Sequence, residues 1–142
     1  MVNCKEIILR ISSDNITKLN TNEVFVFGSN ERGLHGAGAA LYARQHFGAI
    51  DGKGFGLFGN SFAIPTKDVV IRTLPIKEIE RYVKHFIYQA STKYAHKTFL
   101  VTEIGCGLAN YTPNDIAPLF KDALQYDNIY LPASFLKILY KL

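Results

Sequence analysis

A chain of 142 residues suffices for one buried core and falls short of two ordinary domains. Its apolar fraction of 48% is that of an ordinary soluble globular protein, and no apolar run reaches the roughly 20 residues of a membrane helix. The net charge of +4 is scattered, which suits small anionic ligands better than a nucleic-acid stripe, and Cys4 and Cys106 form neither a disulfide framework nor a Cys-x-x-Cys pair.

Residues 5–11, KEIILRI, read as a first strand, and SSDNIT after it as a turn whose polar side chains bond local backbone. EVFVF at 23–27 is the second strand. Val24 to Phe27 are all apolar, the mark of a strand buried on both faces. A loop with Gly33, Gly36 and Gly38 follows. The first helix is expected over 36–46, with Gly48 as its C-terminal glycine. The glycine-rich stretch 48–60 reads as a loop. SFAIPT at 61–66 reads as a short strand ended by Pro65, and DVVIRT at 68–73 as another extended piece. A long helix then starts with Thr73 or Leu74 as cap and Pro75 in its first turn. Ile76, Ile79, Val83, Phe86, Ile87 and Ala90 form its apolar face. KTFLVTEI at 97–104 is a strand, GCGLANY a second glycine loop, and 112–126 a helix capped by Thr112 with Pro113 first and Asp115 in its first turn. NIYL at 128–131 is the last strand, and Pro132 and Ser134 open a short final helix. Strands alternating with helices imply an α/β domain around a mostly parallel sheet.

The two glycine loops carry the chemistry. Each leaves a strand and enters a helix, an arrangement that points backbone N–H groups at a phosphate. Two on one small domain suggest a clamp around a diphosphate. Neither is a standard fingerprint. GSNERGLHGAG lacks the Gly-x-Gly-x-x-Gly spacing, and the acidic residue a dinucleotide fold expects further on has only Asp51 to offer, in a loop. The pair Gly52-Lys53 is too short for a P-loop. No His, Cys, Asp and Glu set has metal-ligand spacing.

Read in order, SSDNITKL, VFVFGSN, HGAGAA and TEIGCGLANYTP resemble the segments of a macrodomain, the ADP-ribose-binding module, and together with SFAIPTKD they look closest to a compact, phage-type branch. The resemblance covers nearly the whole chain. It implies a three-layer α/β/α fold with a mixed, mostly parallel sheet, and a small-molecule nucleotide, ADP-ribose or a derivative, as partner. By that likeness Asn15, or Asp14 with a one-residue slip, meets the adenine. Gly28, Ser29 and Asn30 end the apolar strand, and Asn30 reaches the distal ribose hydroxyls. Gly36, Ala37 and Gly38 line one side of the diphosphate. Gly105, Cys106, Gly107, Leu108 and Ala109 line the other, with Asn110 in place of a usual glycine and Tyr111 as a wall for the ribose.

The likeness breaks at catalysis. Hydrolysing branches often carry an Asp after the first glycine loop, where this chain has Ala39 and Ala40. Asn30 and His35 are the candidate catalytic residues, His35 as a general acid or base near neutral pH, with Glu103 a weaker one. Cys106 reads as a small phosphate-loop residue rather than a nucleophile. Two functions follow: hydrolysis of a group from the distal ribose, or binding and sequestration of an ADP-ribose-type signal without turnover. No cofactor, metal or membrane partner is expected, and the expected setting is cytoplasmic, the host's if the chain is viral. The oligomeric state is left open.

Overall fold

The computed structural model describes residues 10–141. Six strands form one mixed sheet: β1 (Ile11–Ser12), β2 (Glu23–Asn30), β3 (Gly56–Phe58), β4 (Ser61–Lys67), β5 (Thr98–Val101) and β6 (Ile129–Pro132). Their spatial order is β1-β6-β5-β2-β4-β3. Neighbours run parallel except β3, which lies antiparallel to β4. Among the described residues the helices are α1 (Gly38–His46), α2 (Ile76–Ser91), α3 (Pro113–Ile116) and α4 (Ala133–Leu139), with a 3-10 stretch over Ala117–Gln125.

Side-chain alternation along β2 divides the core in two. Phe25 and Phe27 face α1 and pack with Ala40, Ala43, Phe47 and Ala63. Val24 and Val26 face the opposite side, where α2, the 3-10 stretch and α4 bury Val83, Phe86, Phe120 and Phe135. Helical spacing puts Ile79, Val83, Phe86, Ile87 and Ala90 on one stripe of α2, and all five are buried. Each large side chain there contributes about 1.5–3 kcal/mol of burial, so Phe86→Ala costs about 3–5 kcal/mol.

Local readings differ from the structure at several points, each for a physical reason. Most of the expected strand 5–11 lies outside the described residues; Ile11 and Ser12 pair with Leu131 and Pro132. β4 runs through Pro65 instead of ending there. The register shifts between Ser29 and Asn30, and a bulge tolerates a residue with no N–H. DVVIRT is a turn, not a strand. The Asp68 carboxylate accepts hydrogen bonds from Val70 N–H and Arg72 N–H, both at 2.9 Å, and bends the chain back. The loop 48–60 contains β3, which supplies the antiparallel edge. Pro75, not Thr73 or Leu74, is the cap of α2. The strand 97–104 is only Thr98–Val101, and the first helix starts at Gly38, two residues late. The expected helix 112–126 is one α turn followed by the 3-10 stretch, which Pro118 enters without an N–H to donate. Asp115 does cap its start, accepting from Thr112 N–H at 2.9 Å.

Candidate functional site

β2 and β5 are parallel neighbours, so their carboxyl ends finish side by side. That is why the two glycine loops, which follow those ends, face one another. A cleft of about 360 Å³ lies between them. Gly28, Ser29 and Asn30 form its floor; Gly36, Ala37 and Gly38 line one wall, and Gly105, Gly107, Leu108 and Ala109 the other. The approach is close: a Cβ on Gly28 would sit 3.7 Å from the Gly105 nitrogen.

A second cleft, of about 440 Å³, is lined by Asp14 and Asn15 with Ile16, Phe25 and Tyr42. The two clefts share Gly38, Ala39, Thr102 and Glu103, so they form one continuous groove over the top of the sheet.

The walls are rich in uncommitted donors. Ala37 occupies the cap position of α1 with extended backbone and no side-chain cap. Among the described residues, the N–H groups of Gly36, Ala37, Gly38, Ala39 and Ala40 find no protein acceptor, and neither do those of Gly105, Gly107, Leu108 and Ala109. Orphan donors at a helix start are expected; here a second set faces them across the groove. Lys67, at the end of β4, adds the one cation lining the cleft among the described residues.

The side chains proposed for chemistry sit differently. Asn30 lines the cleft and is engaged with its own loop. Its Nδ2 donates to the Leu34 carbonyl at 2.8 Å, and its Oδ1 accepts from Leu34 N–H at 2.9 Å. One N–H and one lone pair remain for a ligand. His35 is 1% exposed and lies beneath the loop, outside the cleft lining. Its Nε2 is 2.9 Å from Ser29 Oγ, and its ring meets Phe27 edge-on at 5.3 Å. Its Nδ1 has no hydrogen-bond partner and lies 3.8 Å from Asp51 Oδ1. A carboxylate beside Nδ1 favours the proton there, leaving Nε2 to accept from the Ser29 hydroxyl. Burial lowers the pKa of His35 from its ordinary value, outweighing the opposing pull of Asp51. The Asp51 carboxyl is held below its usual range by His35 N–H, then by Arg44 at 3.0 Å. His35 therefore reaches the cleft only through Ser29.

Cys106, Asn110 and Tyr111 also lie outside the cleft lining. Burial, then Glu103 and Asp115, push the Cys106 thiol up to about 11, so it stays protonated and a poor nucleophile. Asn110 takes the left-handed conformation (φ 67°) that its glycine-like place requires. The Tyr111 hydroxyl donates to the Leu74 carbonyl at 2.7 Å, tying the second loop to the segment before α2. Sequence reasoning missed Thr66, Lys67 and Ile71 on the rim and Tyr42 in the second cleft. The polar Thr66-Lys67 pair after an apolar strand was the available signal. Compared with known protein families, curated proteins and solved structures, the chain matches none.

Proposed function

We propose that this protein binds ADP-ribose or a closely related NAD-derived nucleotide, as a macrodomain-like receptor of three-layer α/β/α type. The observation that carries the reading is the pair of opposed amide walls in a groove that continues to Asp14 and Asn15. A diphosphate satisfies the orphan N–H groups of both loops, with Lys67 supplying a full positive charge. The adenine then lies toward Asp14 and Asn15, where a carboxylate or amide oxygen accepts from its exocyclic amine and Tyr42 offers an aromatic surface. The distal ribose falls over Asn30.

Binding without turnover is the primary function. His35 is buried beneath the loop and Cys106 is held as a thiol, so neither stands ready at the distal ribose. Hydrolysis is the second reading, kept by one observation: Glu103, a carboxylate, lines both clefts at their junction. A thermal-shift titration against ADP-ribose, NAD and AMP tests binding. ADP-ribose at a hundred times its Kd raises the midpoint by on the order of 10 °C. No shift with any adenine nucleotide refutes the assignment. Incubation with ADP-ribose-1″-phosphate and O-acetyl-ADP-ribose, with Glu103→Gln as control, then decides turnover. Intact substrate beside measurable binding supports the receptor; loss of substrate that Glu103→Gln abolishes establishes the hydrolase.

A further inference from the structure

The end of the cleft remote from Asp14 and Asn15 has a different character. Leu34, Ile71 and Leu108 come from three separate loops and all line the cleft between the glycine loops, while none lines the second cleft. They are 51%, 37% and 68% exposed, so each leaves a large apolar area facing water. No aromatic side chain lines this cleft among the described residues.

Ile71 is the most telling of the three. Its φ is 65°, in the left-handed region where a β-branched residue is strained. Asp68 holds it there. Besides the two bonds that bend the turn, Asp68 N–H donates to the Arg72 carbonyl at 2.8 Å, Ile71 N–H donates to the Asp68 carbonyl at 3.1 Å, and Arg72 Nε donates to the Asp68 carboxylate at 3.2 Å. Glycine would make this turn without strain. A β-branched residue held in a strained conformation, with over a third of its surface facing the mouth of a groove, points to contact with something apolar there.

We propose that this end of the cleft is a subsite for an uncharged aliphatic group carried on the distal sugar of the ligand, an acyl or alkyl chain rather than a phosphate. The inference rests on the nucleotide reading above and selects among the ligands that reading admits. Three aliphatic side chains from three loops enclose a chain by contact and exclusion of water. A second anion would meet no further cation, because Lys67 already faces the diphosphate.

Calorimetric titration of the full chain with ADP-ribose, ADP-ribose-1″-phosphate and the stable 1″-O-methyl and 1″-O-octyl ethers of ADP-ribose tests it. The octyl ether is expected to bind about tenfold more tightly than the methyl ether, with the 1″-phosphate no tighter than ADP-ribose. Ile71→Gly and Leu34→Ser each bring the octyl-to-methyl ratio toward one, while Ile71→Gly raises the melting temperature by removing strain. An octyl-to-methyl ratio near one in the natural protein, or tightest binding by the 1″-phosphate, overturns the subsite and leaves nucleotide binding intact. Failure of all four compounds to bind overturns both.

Discussion

The two glycine loops face the same groove and are held in opposite ways. The first is tied from behind by side chains: Asn30 pins Leu34, Ser29 and Asp51 flank His35, and backbone from 52–54 presses against it. A Cβ on Gly33 would lie 2.5 Å from the carbonyl carbon of Gly52, and one on Gly54 only 2.1 Å from the carbonyl oxygen of Asn30. The second loop is held mainly by its own turns, Cys106 to Glu103, Asn110 to Gly107 and Tyr111 to Gly105. Thr73 and Tyr111 tether its far end, and Gly107 meets nothing within 4 Å. The back of the first loop is therefore built in, while the tip of the second has room to adjust; Gly36 and Gly38 at the groove are as open as Gly107, and Gly105 is backed by Ile116, 3.0 Å from a Cβ placed there. Similar sequence composition has produced braced and open positions in both loops, and the difference lies in what stands behind each residue.

The largest way to break that contrast is Gly54→Ala. The added methyl collides with backbone that no rotamer change can move, and we expect a loss on the order of 3 kcal/mol or more by urea denaturation. Asn30→Ala comes next, removing both bonds to Leu34, with a loss of about 2 kcal/mol in the same assay and weaker ADP-ribose binding. The third test is pH. The folded-state pKa of His35 lies below its ordinary 6.5. The unfolded chain therefore takes up this proton first, and stability falls as pH drops below 6.5 until the folded pKa is reached. The slope from this group is at most about 1.4 kcal/mol per pH unit. It is absent above 6.5 and should vanish in His35→Gln; unfolding curves from pH 7.5 to 5 that are identical in both proteins would remove His35 as the cause. The smallest effect belongs to the other wall: Gly107→Ala should change stability by less than about 0.5 kcal/mol. A cost like that of Gly54→Ala would show that the second loop is as rigidly backed as the first.

The sheet and its helices were legible wherever residues repeat with a clear period. Val24 to Phe27 announced a central strand, and Ile79, Val83, Phe86, Ile87 and Ala90 announced α2. The cleft was legible through glycines next to strand ends, since topology alone brings the ends of β2 and β5 together. What sequence could not give was depth and direction. Nothing in GLHGAG tells that His35 turns inward onto Phe27 while Gly36 and Ala37 turn outward. DVVIRT has the composition of a strand, yet one carboxylate, Asp68, outbids that preference by capturing backbone donors within its own turn. The single turn of α3 and the 3-10 stretch after it were hidden for a different local reason: a proline sets the geometry against the periodic pattern.

The glycines at 48, 54 and 59 have a practical consequence. By composition, 48–60 passes for a disposable connector, the sort of segment where a tag or an insertion is placed. Instead, 52–54 backs the first glycine loop, and further along the same stretch Gly48 and Gly59 approach so closely that a Cβ on Gly59 would come within 2.7 Å of the Gly48 Cα. Anyone seeking to retune ligand preference should randomise 69–71 and 107–108, whose tips face water, and leave those three glycines untouched.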